Sequence, residues 1–311
     1  MPELPEVETT VRGLRERVVG TTITDFWCNA PGMVRYMTPE KLGKEIKRAK
    51  IIGVRRRAKN ILMDLNNKKS LVIHMKMTGH LLYGNYKRWN EKGARSNLPA
   101  SLAKRGEQTW KAKGEGPLRD DPYNRFVHVV FTLDNGHHIA FCDMRKFGKI
   151  ALHRTDTLHT SKELSSLGPE LWELTSKQFI PIYRHISRGK IKQKLLDQTL
   201  LAGVGNIYSD EGLWASSIHP KSIPGKIPED KLRNLFANLV KITKKSLATG
   251  GDSMSDYRNV DGVGGGFQNF HKAYRRTGKP CTLRGCSGTI KRIVVGARST
   301  HYCHIHQKKY A

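Results

Sequence analysis

The chain has 311 residues, of which 38% are hydrophobic, and this content suffices for the packed cores of about two domains. Its 55 lysines and arginines against 27 aspartates and glutamates give a formal charge of +28, which favours nucleic acid as the partner over an anionic membrane surface or a charge kept for solubility. No stretch reaches the roughly 18 apolar residues of a membrane span, and no signal-peptide pattern opens the chain, so membrane-spanning and secreted proteins are excluded and a cytoplasmic, nucleoid-associated protein is expected.

The N-terminal segment Met1-Pro2-Glu3-Leu4-Pro5-Glu6 has two interpretations. Removal of the initiator methionine would leave Pro2 with a free secondary amine, a nucleophile that can attack a sugar carbon and form an iminium. The simpler interpretation is the start of a helix, because Pro5 suits a first turn. The apolar residues that follow recur at helical spacing, at Val7, Val11, Leu14 and Val18.

Short β segments are predicted from the end of this helix to about residue 155. They are Thr22–Trp27, Ile51–Val54, Ile61–Leu65, Leu71–Met77, Phe126–Leu133, His138–Cys142 and Lys149–His153. Many short strands between Gly and Asn turns indicate a sandwich or barrel, and we assign residues 1–160 to it. The basic stretch 86–123 has no clear period and is too long for an ordinary connection, so it is predicted as a mobile insertion.

Two candidate DNA-contacting features lie on connections of this β domain. The run Arg55-Arg56-Arg57-Ala58-Lys59 is by default a solvated charge run, although Lys59 could also reach a phosphate. Met77, Arg145 and Phe147 put an apolar wedge, an arginine and an aromatic ring on other loops. Core packing explains Met77 or Phe147 singly, but together they resemble the side chains that base-flipping proteins insert into a stack.

A helical pattern follows, and residues 169–260 are assigned to a helical domain. Two helices flank the glycine-containing turn Leu201–Asn206, and a further helix is predicted over Glu229–Ala248. Asn206 is predicted as an N-cap. Because Gly203 and Gly205 are expected to leave backbone N–H groups uncovered beside a helix N-terminus, this turn also suits a phosphate.

The C-terminal residues 271–311 contain three of the five cysteines. Cys281 and Cys286 form one knuckle and Cys303 with His306 a second, which is how a closed structural Zn²⁺ site is built. His306 is the preferred fourth ligand, and His304 and His301 remain alternatives. Two strands are predicted between the knuckles, Thr289–Val295 and Ser299–Tyr302, and the turn Gly296-Ala297-Arg298 joins them. Arg298 at that turn would either grip phosphates or be solvated.

Six ordered motifs, spanning Pro2 to about Gln307, resemble the formamidopyrimidine-DNA glycosylase family, the Fpg or MutM group of the Fpg/Nei superfamily. The motifs are Pro2-Glu3-Leu4-Pro5-Glu6-Val7-Glu8, Arg57-Ala58-Lys59, His74-x-x-Met77-x-Gly79, Asp143-x-Arg145-x-Phe147-Gly148, Gly203-Val204-Gly205-Asn206-Ile207-Tyr208-x-x-Glu211, and Tyr274-Arg275-Arg276-x-Gly278-x-Pro280-Cys281 with Gly296-x-Arg298-Ser299-Thr300. Two departures concern the metal: Cys281 and Cys286 are separated by four residues instead of two, and His306 stands where a fourth cysteine is usual.

The resemblance implies an α+β multidomain fold, in which an N-terminal helix and β-sandwich precede a helix-two-turn-helix domain and a C-terminal zinc-finger β-hairpin. It implies that Pro2 is the nucleophile and Glu3 its acid/base partner. The resemblance also implies that Lys59, Asn206, Tyr274 and Arg298 bind phosphates and that Glu6 lies near the scissile sugar. Met77, Arg145 and Phe147 would fill the void left by the base. The run Asp252 to Phe270 resembles the loop that covers a flipped 8-oxoguanine.

The function implied is that of a bifunctional DNA glycosylase and abasic-site lyase of base excision repair, acting as a monomer on double-stranded DNA with oxidised purines or abasic sites. It would cut the strand by β,δ-elimination through a Schiff base on Pro2, with one structural Zn²⁺ and no catalytic metal. Two alternatives remain: a glycosylase for oxidised pyrimidines, like endonuclease VIII, and a noncatalytic nucleic-acid-binding protein.

Overall fold

The computed structural model describes residues 2–90, 108–254 and 256–311. Its first half is a β-sandwich preceded by a helix, as the sequence predicts. The helices and strands of this half are α1 (Leu4–Val18), β1 (Ile23–Cys28), α2 (Pro39–Ile46), β2 (Ile51–Arg57), β3 (Asn60–Leu65), β4 (Lys69–His74), β5 (Gly79–Gly84), β6 (Tyr86–Asn90), β7 (Gln108–Ala112), α3 (Pro117–Asp120), β8 (Val127–Leu133), β9 (His138–Asp143) and β10 (Lys149–Arg154).

Two four-stranded antiparallel sheets form the sandwich, with strand orders β1-β8-β9-β5 and β10-β4-β3-β2. Helix α1 packs its apolar stripe into the core between them, because Val7, Val11 and Leu14 are fully buried in that cluster. Leu4 belongs instead to the core of the helical half. The first helix therefore joins both cores.

The second half contains helices and then a β-hairpin, in agreement with the predicted order. Its elements are α4 (Ser176–Arg184), α5 (Ile191–Leu196), α6 (Asn206–Ala215), α7 (Glu229–Ala248), β11 (Ile290–Val295) and β12 (Arg298–Cys303). The prediction of a helix over Glu229–Ala248 is confirmed. The hairpin turn consists of Gly296 and Ala297, both at positive φ, so Arg298 is the first residue of β12 and pairs with Val295 instead of lying in the turn.

Two elements of the first half, helix α2 and strand β5, are absent from the prediction. Helix α2 begins after Thr38, whose hydroxyl accepts the N–H of Lys41 at 3.2 Å, a capping signal that the sequence carries. Strand β5 was not predicted, because its central residues Leu81 and Leu82 are both fully buried and give no alternation. Its first residue, Gly79, must be small, since an added Cβ would lie 2.4 Å from the carbonyl oxygen of Met75.

The stretch predicted as an insertion contains regular structure at both of its described ends. Strands β6 and β7 pair antiparallel, and α3 follows them. Trp110 of β7 is 7% exposed and meets Trp27 edge-on at 6.2 Å between ring centroids, so the hairpin packs on the sandwich. Residues 91–107 of the predicted insertion lie outside the described residues. No period is visible in this stretch of sequence because each strand has only five residues.

Arg56 and Arg57 at the end of β2 form an inter-domain contact, so the default of a solvated charge run is wrong for them, whereas Arg55 is exposed. The side chain of Arg56 is 10% exposed and pairs with Glu8 and Glu170. Glu170, buried just before the helical half, also pairs with Arg57 at 3.3 Å and accepts the N–H of Ala58 at 2.7 Å.

Over the described ranges, no helix has the length and apolar content needed to cross a membrane.

Candidate functional site

Glu3 lies between the start of the chain and the N-terminus of α6. Its side chain is buried, and Oε1 accepts the backbone N–H of Ile207 at 3.0 Å, so the positive end of α6 holds the carboxylate. Gly205 permits this approach, because a Cβ there would lie 2.3 Å from Cδ of Glu3. Oε2 of Glu3 is buried without a hydrogen-bond partner among the described residues, and Glu3 lines a cleft. One carboxylate oxygen is thus anchored while the other is unused.

Glu6 lies one layer behind Glu3. Its carboxylate accepts the N–H of Glu3 and the N–H of Asp252, both at 2.8 Å, and the hydroxyl of Tyr208. Burial, and then the neighbouring carboxylate of Glu3, raise the pKa of Glu6 to about 7. Glu6 is absent from the cleft surface and fixes the backbone of the N-terminal segment. Pro2, which is also buried, precedes this fixed amide directly.

The cleft has a volume of about 830 Å³ and runs between the sandwich and the helical half. It brings together most of the residues that the sequence singled out. Those on its surface are Glu3, Lys59, Met77, Arg145, Phe147, Asn206, Tyr274 and Arg298. A cleft with several cations and an apolar tip suits a polyanion that carries flat rings.

Lys59 is the buried cation of the cleft. Its Nζ donates to the carbonyl oxygen of Val204 at 2.9 Å, across the two halves. Burial lowers the pKa of Lys59, and the charge of Arg298 lowers it further, while Glu3 and Glu6 act in the opposite direction. An anion placed between the two cations would relieve this repulsion.

Asn206 connects α6 to the C-terminal hairpin and is not an N-cap. Gly205 occupies the N-cap position, and Asn206 is the first helical residue. Its Nδ2 donates to the carbonyl oxygen of Ser299 at 3.0 Å, next to Arg298, while its Oδ1 is buried without a partner among the described residues. The expected free N–H of Gly203 is also taken, since it donates to Oε1 of Gln198 at 3.0 Å.

Tyr274 is positioned by a backbone anchor on α6. The carboxylate of Glu211 accepts three consecutive N–H groups at 2.8–2.9 Å, those of Lys272, Ala273 and Tyr274. The Tyr274 ring meets His301 of β12 edge-on at 5.2 Å. The segment that enters the hairpin is therefore fixed at the cleft wall.

Met77, Arg145 and Phe147 form one cluster where the sandwich lines the cleft. The guanidinium of Arg145 lies 4.4 Å from the ring centroid of Phe147, and its Nη1 lies 3.5 Å from Sδ of Met77. Met77 is 37% and Phe147 44% exposed, so neither is a core residue. Their loops are fixed from below by Asp143, which accepts the N–H of Gly148 at 2.6 Å and the hydroxyl of Thr78.

The C-terminal knuckles converge on one candidate metal centre. The ligand atoms of Cys281, Cys286, Cys303 and His306 lie within 4.8 Å of one another. The Sγ atoms of Cys286 and Cys303 are 3.6 Å apart, close to the roughly 3.8 Å edge of a tetrahedron with 2.3 Å Zn–S bonds. Nε2 of His306 donates to the carbonyl oxygen of Trp214 at 3.1 Å, which leaves Nδ1 free to ligate. Of the alternatives, His301 is bonded to Asp210 and His304 to Thr289.

His74 and Lys149 line the cleft and were not selected as site residues from the sequence. Asp252, Met254 and Tyr257 also line it, and they belong to the run from Asp252 to Phe270 that the family resemblance singles out. Burial, and then Lys76 and Lys59, lower the pKa of His74 to about 3, and its Nδ1 accepts the N–H of Lys76, so Nε2 carries the proton as a neutral donor. The motif that contains Met77 begins at His74 and was the available signal.

Comparisons with known proteins agree along the whole chain. The family model "Formamidopyrimidine-DNA glycosylase N-terminal domain" matches residues 1–150, and "Formamidopyrimidine-DNA glycosylase H2TH domain" matches residues 167–258. The formamidopyrimidine-DNA glycosylase of Herpetosiphon aurantiacus is 35% identical over 99% of this chain and 100% of that protein. The enzyme of the same name from Ruegeria sp. (strain TM1040) is 31% identical over 97% of this chain and 98% of that protein.

Solved structures show the same likeness. The complex of a Lactococcus lactis Fpg mutant with DNA containing Fapy-dG superposes with a TM-score of 0.80, at 30% identity over 99% of this chain and all of that one. The complex of Lactococcus lactis Fpg with DNA containing an abasic site gives the same TM-score, identity and coverage. The α+β fold with a sandwich, a helical domain and a C-terminal cysteine cluster is thereby confirmed.

Proposed function

Because this chain belongs to the formamidopyrimidine-DNA glycosylase family, we propose that it excises oxidised purines, 8-oxoguanine and formamidopyrimidines, from double-stranded DNA and then cuts the abasic strand. The observation that carries this proposal is the Glu3 carboxylate, buried beside Pro2 at the base of a cationic cleft with one oxygen unpaired among the described residues. A carboxyl group in that position can move a proton at a sugar held over Pro2.

The first step is eversion of the damaged nucleotide, since its sugar carbon cannot be reached inside the duplex. Unstacking costs a few kcal/mol. The exposed cluster of Met77, Arg145 and Phe147 offers the apolar and planar groups that would fill the vacated space. Lys59, Asn206, Tyr274 and Arg298 line the cleft around Glu3, which supports their assignment to the phosphates of the everted nucleotide.

Base release follows on the opened nucleotide. With Met1 removed, the nitrogen lone pair of Pro2 bonds to C1′, the bond between C1′ and the ring oxygen of the sugar breaks, and Glu3 protonates that oxygen. The attached nitrogen of Pro2 then loses its hydrogen as a proton, which restores the lone pair that expels the base. The bond between C1′ and the base breaks, and its electron pair leaves with the base, which takes up a proton. The opened sugar then remains joined to Pro2 as an iminium.

Strand cleavage uses the same intermediate. The iminium acidifies C2′, so loss of a C2′ proton expels the 3′ phosphate by β-elimination, and a second elimination expels the 5′ phosphate. A one-nucleotide gap results. The assigned groups that line the cleft all come from one chain, and we therefore assign the activity to the monomer.

The donor set at the C-terminus fits zinc: three thiolates and one imidazole at tetrahedral spacing, with the imidazole fixed by Trp214. Bound there, Zn²⁺ would supply structural cross-linking and no reaction step. Cys303, which is fully buried, would hold it at the end of β12, the strand that carries Arg298. One equivalent of zinc in the purified protein, lost in a Cys303→Ala variant, is the expected result.

Borohydride trapping on an abasic duplex tests the covalent chemistry, because reduction fixes the iminium as a stable adduct. The native protein should give an adduct at Pro2, and Pro2→Gly should release a damaged base far more slowly than the native protein. A noncatalytic DNA-binding protein would give no adduct with any variant. A protein that kept its methionine or an acetyl group on the N-terminus, yet cleaved at full rate, would contradict the role of Pro2.

Excision of 8-oxoguanine opposite cytosine, compared with excision of thymine glycol, tests the substrate class. The proposal expects the purine lesion to be processed faster. The loop that begins at Asp252 supports this preference, since it forms part of the cleft wall where a base would be held. Faster removal of thymine glycol would instead assign the chain to the pyrimidine-directed enzymes.

A further inference from the structure

The loop after α7 is fixed at its cleft end by the active-site layer. The N–H of Asp252 donates to the Glu6 carboxylate at 2.8 Å, and the hydroxyl of Tyr257 donates to the carbonyl oxygen of Glu6 at 2.9 Å. Asp252, Met254 and Tyr257 all line the cleft. Tyr257 is 3% exposed and belongs to the core cluster of the sandwich, so this residue fixes the loop, whereas Met254 is exposed at the cleft.

The following residues of the loop dock on the sandwich. The N–H of Tyr83 in β5 donates to the carbonyl oxygen of Val260 at 2.7 Å, which adds the loop to the edge of that strand. Val260 is 2% exposed and packs over α1, where a Cβ on Gly13 would lie 2.6 Å from its Cγ2. The loop therefore has a defined seat between α1 and β5.

A third contact with the loop comes from residues 117–125, a segment that begins in the predicted insertion 86–123 and ends two residues beyond it. Nε of Arg258 donates to Oδ2 of Asp121 at 2.6 Å, and both side chains are mostly buried. The same guanidinium lies 4.7 Å from the ring centroid of Tyr123. Arg258 is adjacent to Tyr257 and also donates to its carbonyl oxygen at 2.7 Å, so the ion pair acts on the backbone next to the cleft wall.

Asn124 extends this contact further along the loop. Its Nδ2 donates to the carbonyl oxygen of Gly262 at 3.2 Å, and its Oδ1 contacts Nε2 of His80 at 3.0 Å. Asn124 is 2% exposed. Gly262 has φ +79° and leaves no room for a side chain, because a Cβ would lie 2.7 Å from Nδ2 of Asn124. The two segments are therefore complementary at close range.

We propose that residues 117–125 are a brace that holds the loop at 256–263 and so presets the wall of the cleft that contacts the extruded base. The inference rests on the proposed function, which supplies the base. Asp121, Tyr123 and Asn124 are positioning residues, since they touch the loop and not the reacting atoms. The brace affects recognition of a base. It has no part in elimination, because the base has left before elimination begins.

Two substrates separate these roles. An Asp121→Asn variant should lower kcat/KM for excision of 8-oxoguanine by roughly tenfold, mainly through KM, because the wall is misplaced before the base arrives. Cleavage of a duplex that already contains an abasic site should change by less than about twofold. Tyr123→Leu, which removes only the ring beneath the guanidinium, should show the same pattern with a smaller loss.

The matched control is Asp156→Asn, which breaks an exposed ion pair to Arg154 on the same domain. It should leave both substrates unaffected. An Asp121→Arg variant combined with Arg258→Asp restores opposite charges in reversed order, and should recover part of the lost excision. Equal losses on both substrates, or no loss on either, would overturn the brace.

Hydrogen exchange of the free protein tests the brace without any substrate. In Asp121→Asn, the amides of 256–263 should exchange faster than in the native protein, while those of α7 should be unchanged. If the native protein cleaves abasic DNA but excises no purine lesion, the proposed substrate is wrong, and the exchange result still decides whether the brace exists. Unchanged exchange at 256–263 would refute it.

Discussion

Two groups of residues at the cleft are built on opposite principles. Glu3 and Lys59 are buried at its base and form hydrogen bonds that cross between the two halves of the chain, while Glu6 behind them accepts the N–H of Glu3. The wedge cluster, which consists of Met77, Arg145 and Phe147, is exposed, and its members contact one another. Groups that move protons or hold a phosphate need a fixed position before DNA binds. Groups that enter a base stack must instead be exposed on the protein surface, so that they can reach the duplex when it opens.

This contrast implies that changes at the base should alter rates and pH dependence, while changes at the wedge should alter affinity. The hairpin residue Arg298 lies between the two cases, since it is exposed like the wedge cluster but is proposed, like Lys59, to hold a phosphate. Variants in each group therefore test whether the separation is real.

Glu3→Gln should give the largest effect, a fall of about 10²–10⁴-fold in the rate of base release, because the amide can no longer donate or regain a proton. The amide oxygen can still accept the N–H of Ile207, so the fold and the affinity for DNA should be kept. Single-turnover excision and a binding isotherm measure the two. Glu16→Gln, on the exposed face of α1, is the control. A proportional loss of affinity would break the comparison.

Glu6 should make stability depend on pH. Its pKa in the fold is about 7, above the ordinary 4.5, so between pH 4.5 and 7 the folded chain holds a proton that the unfolded chain has lost. The contribution of Glu6 to stability therefore falls as pH rises through this window, by about 3 kcal/mol at most, and is level above it. The buried histidines His74, His80 and His128, whose pKa values are lowered, act in the opposite direction. The part due to Glu6 is therefore the difference between the native protein and Glu6→Gln in urea unfolding at pH 5 and pH 7.5, and a difference that does not change with pH would remove Glu6 as its source.

Phe147→Ala should weaken binding of lesion-containing duplex by about 1–3 kcal/mol, since an aromatic ring that stacks on a base is lost. Stability should hardly change, because the ring is 44% exposed. Ile52→Ala removes an apolar side chain that is 56% exposed outside the cleft and is the matched control. Destabilisation by Phe147→Ala without loss of affinity would mean that the ring is a packing residue.

Arg298→Ala should give the smallest effect, a loss of about 1 kcal/mol in DNA affinity and a salt dependence shallower by about one charge. Titrations at several salt concentrations measure both. Lys291→Ala on the neighbouring strand is exposed and outside the cleft lining, and it should keep the native slope. An unchanged slope for Arg298→Ala would exclude a phosphate contact.

Local sequence patterns predicted those elements whose signal is itself local. The amphipathic period of Glu229–Ala248 predicted both ends of α7, and the cysteine spacing indicated the metal cluster. The choice among three histidines needed tertiary structure, because it depends on Trp214, which is 92 residues away from His306 and accepts its Nε2–H. Sequence order alone does not show such a partner.

The failures have the same origin. Arg56 suggests a solvated charge until Glu170, 114 residues away, is found against it. Asn206 suggests a cap because its type suits the position, yet the glycine before it takes that place and leaves room for Glu3. Strand β5 is not predicted because both of its faces are buried, so its sequence does not alternate between apolar and polar residues. Each error concerns a residue whose environment is supplied by a distant part of the chain.

The division of α1 between two cores has a mechanical consequence. Leu4 is embedded in the helical half, and its N–H donates to the carbonyl oxygen of Gly203 at 3.1 Å, whereas Val7, one turn later, is embedded in the sandwich. The lobes cannot separate by translation without extracting one of these side chains. Any widening of the cleft must pivot about this turn, which keeps the proposed nucleophile, Pro2, close to the axis, where displacement is least.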